Sequence, residues 1–139
     1  MPIVHPSTTI LFIDHHDDDR QYWVRRLRIS SPDYVVLEAD TGATGLSVCQ
    51  SQRVDCVVTE LTLPDMSGFE VLVNLVPRVT HPEIAVIMLS RLNLRTLAEL
   101  ATKNGAQAYL IKSRISGDDL NKSILMARAT VGPTKELRV

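Results

Sequence analysis

At 139 residues the chain fits one domain, long enough to bury roughly two-thirds of its unfolded surface. Its net charge is −1 and its basic residues are scattered, so nonspecific nucleic-acid binding has no electrostatic footprint. The apolar runs fall far short of a membrane span and the start MPIVHPSTT lacks the form of a signal peptide, so no membrane partner is expected and a cytoplasmic location is. Cys49 and Cys56 have no second pair to complete a zinc site and read as reduced, buried thiols.

In chain order, residues 1–7 read as an N-terminal extension. The apolar run Thr9–Ile13 (TILFI) opens the domain as a first strand, and Asp18–Ile29 follows with Trp23, Val24 and Leu27 at helical spacing. Tyr34–Ala39 (YVVLEA) is the second strand. Leu46 and Cys49 mark a weak helix, handicapped by Gly42 and Gly45. Asp55–Thr59 (DCVVT) is the third strand. Ser67-Gly68-Phe69-Glu70 has the form of a capping box, with Phe69, Leu72, Val73 and Val76 following at helical spacing until Pro77. Ile84–Leu89 (IAVIML) is the fourth strand. Leu94, Leu97, Leu100 and Ala101 mark a fourth helix that Gly105 closes. Ala108–Ile111 (AYLI) is the last strand, and Ser116 opens a helix bearing Leu120, Ile124 and Ala127. Strand and helix alternate throughout, which argues for a doubly wound parallel sheet over residues 8–130. Residues 131–139, with Gly132 and Pro133, read as a tail or the start of a linker.

In an open parallel sheet, ligands bind beyond the carboxyl ends of the strands. Asp14 and His15 follow the first strand, Glu60 the third, Ser90 the fourth and Lys112 the fifth. If the strand order is 2-1-3-4-5, these groups converge on one crevice. Carboxylates, a hydroxyl and an ammonium together suit a phosphoryl group with a divalent cation.

ILFID at the first strand, ELTLPDMSGFEVL after the third, VIML-Ser90 at the fourth and AYLI-Lys112 at the fifth stand in order. With these pieces the chain resembles a response-regulator receiver domain of the chemotaxis-receiver type. The resemblance implies a flavodoxin-like fold with five strands and five helices, in the order 2-1-3-4-5. It also implies phosphorelay signalling rather than enzymatic turnover. Glu60 takes the phosphoacceptor position, and Asp14, His15, Glu60 and the Thr62 backbone carbonyl the acidic metal pocket. Ser90, Tyr109 and Lys112 take the switch and phosphoryl-oxygen positions, and Mg2+ would be the cofactor. The implied partners are a histidine kinase, another signalling protein or an output domain beyond the tail, and a homodimer through the last two helices is allowed.

Four residues depart from that pattern. Glutamate stands at position 60 where aspartate accepts phosphate, and one extra methylene moves the oxygen by roughly a bond length, where displacements of about 1 Å can cost a hundredfold in rate. His15 replaces the second acid of the metal pair, which weakens the preference for magnesium. Arg91 replaces a small residue and is placed to cover the crevice or pair with Glu60. Ser113 replaces proline, which disfavours a cis peptide there. The expectation is a pseudo-receiver, not phosphorylated at Glu60, in which Glu60 reaches toward Lys112 and Ser90, Tyr109 lies inward, and signalling runs through protein–protein contacts. A working magnesium-dependent phosphoacceptor is the alternative.

Simpler roles compete at several positions. Asp17, Asp18 and Asp19 read as favourable charges at a helix start, and Asp65 and Ser67 as turn and cap residues. His16 is expected to face solvent, and His5 and His81 to lie on the surface. Asp14-His15-His16 also matches the motif of a two-metal phosphoesterase. That remote metallohydrolase alternative lacks the further aspartate motifs it needs.

Overall fold

The computed structural model describes residues 7–132, and its peptide bonds there are all trans. Five strands, β1 (Thr9–Ile13), β2 (Val35–Ala39), β3 (Cys56–Thr59), β4 (Ala85–Ser90) and β5 (Ala108–Ile111), form one parallel sheet in the order β2-β1-β3-β4-β5. Five helices alternate with them: α1 (Asp17–Ser30), α2 (Gly42–Ser51), α3 (Gly68–Leu75), α4 (Arg95–Lys103) and α5 (Gly117–Val131). Helix α5 ends at Val131. The expected extension and tail otherwise fall largely on residues 1–6 and 133–139, outside the described residues.

The unbroken apolar runs have a direct cause. Along β1, Leu11 and Ile13 enter one core and Ile10 and Phe12 the other. Along β4, Val86 and Met88 join the first, while Ala85, Ile87 and Leu89 join the second. Successive side chains point to opposite faces, so a strand covered on both sides must be apolar at every position. The first core is capped by α2, α3 and α4, and the second by Trp23, Val24 and Leu27 of α1 with Leu120, Ile124 and Ala127 of α5.

Three local readings change. Gly42 and Gly45 do not merely weaken α2; they are its buried residues. A methyl group on Gly45 would run into Ile13, so absence of a side chain lets α2 lie close on β1. Helix α3 buries Val71, Leu72 and Leu75, while Val73 is exposed, which rotates the expected stripe. In α4 only Ala101 is buried, and Leu94 and Leu100 face solvent. At α3 only the serine half of the expected box is seen, Ser67 Oγ accepting from the Glu70 N–H at 3.3 Å, whereas Ser116 with Asp119 forms a full reciprocal box at α5. Gly105, at φ +103°, follows the end of α4.

Candidate functional site

Among the described residues the buried polar ones are Asp14, Asp55, Thr59, Glu60 and Ser90. Asp55 serves the amino-terminal end of the sheet, where its Oδ2 accepts from the Thr9 N–H at 2.7 Å. Asp14, Glu60 and Ser90 lie at the carboxyl end, and the sheet explains their convergence. Ile13, Thr59, Met88 and Tyr109 stand level across β1, β3, β4 and β5. The next residues beyond that row are Asp14 and Glu60, and Ser90 and Lys112 follow within a few positions. Their backbones stay tied to the ladder, Asp14 N–H to Ala39 O at 3.0 Å and Glu60 N–H to Ile13 O at 2.9 Å.

Lys112 joins the group. Its Nζ donates to Asp14 Oδ2 at 2.7 Å and to Asp19 Oδ2 at 2.9 Å, and it stands 2.8 Å from Glu60 Oε2. The third contact is an ion pair rather than a well-aligned hydrogen bond, because Glu60 Oε2 has no donor in good geometry. The remaining carboxylate oxygens take backbone donors: Asp14 Oδ1 from the His16 N–H at 2.9 Å, and Glu60 Oε1 from the Leu61 N–H at 2.9 Å. Burial works against the Lys112 ammonium, but its bonds to Asp14 and Asp19 and its close approach to Glu60 outweigh that, and its pKa is raised.

Asp19 is the residue that sequence reasoning missed. The sequence makes it one of three like acids at a helix start, yet it alone of the three meets Lys112 and Arg91. Arg91 grips it with two bonds, Nε to Oδ2 at 2.9 Å and Nη2 to Oδ1 at 2.8 Å, the fork geometry that guanidinium makes with carboxylate. The Arg91 bond holds the Asp19 carboxyl down at about 2, against a smaller opposing effect of burial. Among the close ion pairs Arg91 meets Asp19 and not Glu60. Opposite charges after β1 and after β4 were the available signal, but helical phase had to choose among Asp17, Asp18 and Asp19.

The other expected residues are placed as follows. Ser90 Oγ accepts from the Leu92 N–H at 3.2 Å. Tyr109 is half-buried against the first core, and its hydroxyl donates to Leu92 O at 2.8 Å. Burial raises the Tyr109 pKa; a bond to Ser90 opposes the rise and the nearby Glu60 charge adds to it. His15 is exposed, its ring 5.8 Å from that of His16. His16 is exposed as expected; it stands at the N-cap position of α1 without a side-chain capping bond, and its Nδ1 lies 3.4 Å from Asp14 Oδ1. Thr62 is exposed and bridges Ser67 in the loop before α3. Asp65 caps a different helix from its own, accepting from the Gly42 and Ala43 N–H groups at 2.9 Å each.

Residues 10–125 match the family model of the response regulator receiver domain. The chain belongs to that family. This receiver is 34% identical to the nitrate/nitrite response regulator protein NarL of Escherichia coli over 122 residues, 87% of this chain and 55% of that protein. It is 26% identical to the two-component response regulator ARR7 of Arabidopsis thaliana, covering 81% of this chain and 59% of that protein. The chain therefore spans little more than half the length of these curated relatives. A receiver domain from Clostridium thermocellum superposes with a TM-score of 0.77 at 30% identity, covering 88% of this chain and 95% of that one. The receiver domain of the putative response regulator NarL from Mycobacterium tuberculosis gives 0.79 at 24% identity, covering 90% and 98%.

Receivers as a family are signalling domains that bind Mg2+ in the acidic pocket and work with histidine kinases and output domains. The donors of this receiver do not fit magnesium as they stand. All four carboxylate oxygens of Asp14 and Glu60 already face an N–H or the Lys112 ammonium. The neighbour of Asp14 is an exposed imidazole, and no group of three or more His, Cys, Asp or Glu side chains among the described residues could hold a metal. A hard cation that demands six oxygen ligands would have to displace Lys112 first. No helix among the described residues is long and apolar enough to cross a membrane.

Proposed function

We propose that this receiver works without phosphate on Glu60, as a pseudo-receiver that regulates a partner protein or an output domain by contact. The observation that carries the reading is the 2.8 Å approach of Lys112 Nζ to Glu60 Oε2. The longer side chain of glutamate delivers its own negative charge to the ammonium that would otherwise meet a phosphoryl oxygen. Attack on a phosphodonor needs a carboxylate oxygen free to line up with phosphorus. Glu60 offers none, since Oε1 holds the Leu61 N–H and Oε2 holds Lys112. The domain then acts by binding rather than turnover. Its output surface is the face of α4 and β5, where Leu92, Leu94 and Leu100 are exposed and the Tyr109 hydroxyl donates to Leu92 O.

The test is intact mass after incubation with acetyl phosphate and magnesium, with Glu60→Asp beside the wild type. The expected result is no phosphoryl gain on the wild type. A wild-type adduct mapped to Glu60 or Asp14 would restore the working phosphoacceptor. Labelling of Glu60→Asp alone would place the block in the extra methylene; if neither protein is labelled, the block extends to His15 and Arg91.

A further inference from the structure

A second cleft, of about 560 Å3, lies between α1 and β2, lined by Arg20, Val24, Arg25, Arg28, Ile29 and Glu38, and meets the crevice only where Arg20 donates to the Asp14 carbonyl. Its charges are unbalanced. Arg20 is committed, with Nε on Glu38 at 3.0 Å and Nη2 on Asp17 at 2.6 Å. Glu38, the one acid of the lining, is thereby used as well. Arg28 gives a single N–H to Val36 O at 3.3 Å, and Arg25 has no hydrogen-bond or ion-pair partner among the described residues. Among the described residues, two guanidiniums three positions apart on one helix therefore share a cleft without a counter-ion, a spacing at which like charges repel.

Two further features adjoin them. Ile29 is 74% exposed at the rim of the cleft. Strand β2 is an edge of the sheet. The Val35 N–H and the Ala39 carbonyl bond toward the β1 side, so the alternation of a parallel ladder turns the backbone groups of Val36 and Glu38 to the open edge. Arg28 reaching Val36 O from outside agrees with that direction.

We propose that this cleft docks an extended acidic segment of a partner protein that carries at least one apolar side chain. Its carboxylates take the forks of Arg25 and Arg28, its apolar group covers Ile29, and its backbone runs along the free edge of β2. A small oxyanion would satisfy the arginines but leave Ile29 and the strand edge unused, which is why a peptide is the better fit. The site shares no residue with the crevice, so this inference and the pseudo-receiver reading stand or fall separately.

The test is fluorescence anisotropy of a short labelled peptide alternating glutamate and leucine, titrated with the full chain. The wild type binds it, more weakly as salt rises. Arg25→Glu/Arg28→Glu loses affinity by about tenfold or more for each arginine, the scale of a hydrogen bond to a charged group. Ile29→Ser weakens binding with the charge unchanged. Circular dichroism checks the fold, and Arg25→Gln/Arg28→Gln replaces the charge reversal if that variant does not fold. Equal binding by the folded arginine variant, or equal binding of a lysine–leucine peptide, overturns the proposal. So does pyrophosphate that displaces the peptide and binds independently of Ile29, since the cleft would then be an oxyanion site.

Discussion

Lys112 and Asp19 are 93 positions apart in the chain, and their charged groups meet at 2.9 Å over two buried carboxylates. The contact joins the turn that follows β5 to α1, and Arg91 extends it to the loop after β4. Asp14, Glu60 and Asp19 bring three negative charges, and Lys112 and Arg91 two positive ones. The two cations are not equivalent. Lys112 is 7% exposed and serves all three acids, whereas Arg91 is 62% exposed and serves only Asp19 among the close ion pairs.

Lys112→Met should therefore be severe. It leaves Asp14 and Glu60 buried and side by side with no cation, and breaking a buried pair by removing one partner costs about 3–5 kcal/mol. Urea unfolding followed by circular dichroism measures the loss. Lys112→Met/Glu60→Gln should recover part of it, because one of the stranded charges is gone. A single variant as stable as wild type would mean that water reaches the two carboxylates and the network is not closed.

Gly68→Ala tests how Glu60 is positioned. A methyl group there would stand 2.5 Å from the Glu60 carbonyl oxygen, a backbone atom that cannot swing aside. The start of α3 must then move off the end of β3, at the scale of about 1–3 kcal/mol seen for overpacked cores. The expected outcome is a lower urea midpoint with an unchanged slope. Equal midpoints would show that the loop of residues 61–67 absorbs the methyl group.

Asp65→Ala should loosen the start of α2. The carboxylate accepts the Gly42 and Ala43 N–H groups, and these bonds lower its pKa. Amide exchange at those two positions should quicken in the variant while exchange in β3 stays slow. Unchanged protection at Gly42 and Ala43 would remove Asp65 from the cap.

The sheet was readable because it is two-faced. Runs such as TILFI and IAVIML are apolar at every position, and parallel strands covered on both sides leave little other explanation. Strand ends then located Asp14, Glu60, Ser90 and Lys112 without any contact being known. Helical phase was less legible. The stripe on α3 had to be chosen among several apolar residues, and Leu94 and Leu100 of α4, apolar at helical spacing, turned out exposed. The glycines of α2 were read by propensity alone, although Gly45 is set by its tertiary neighbour Ile13. Asp19 failed for a similar reason: three adjacent aspartates share one helix-dipole explanation, and only the position of Arg91 separates them.

That separation gives a pH-dependent prediction. The Arg91 bond lowers the Asp19 pKa from its ordinary 3.8 to about 2, so Asp19 stabilises the fold above 3.8 and that contribution disappears as pH falls through about 2. Lys112 behaves oppositely: its pKa is raised, so its contribution is complete below the ordinary 10.5 and is lost as pH climbs past the folded value. Asp19→Asn should lower the thermal midpoint at neutral pH, and Asp17→Asn and Asp18→Asn should lower it less. The gap between wild type and Asp19→Asn should narrow from pH 4 downward and close near pH 2. Thermal scans of the four proteins across that range decide it. A gap that stays constant with pH would mean that Asp19 acts through shape and helix capping, and that its charge contributes nothing to the contact with Lys112 and Arg91.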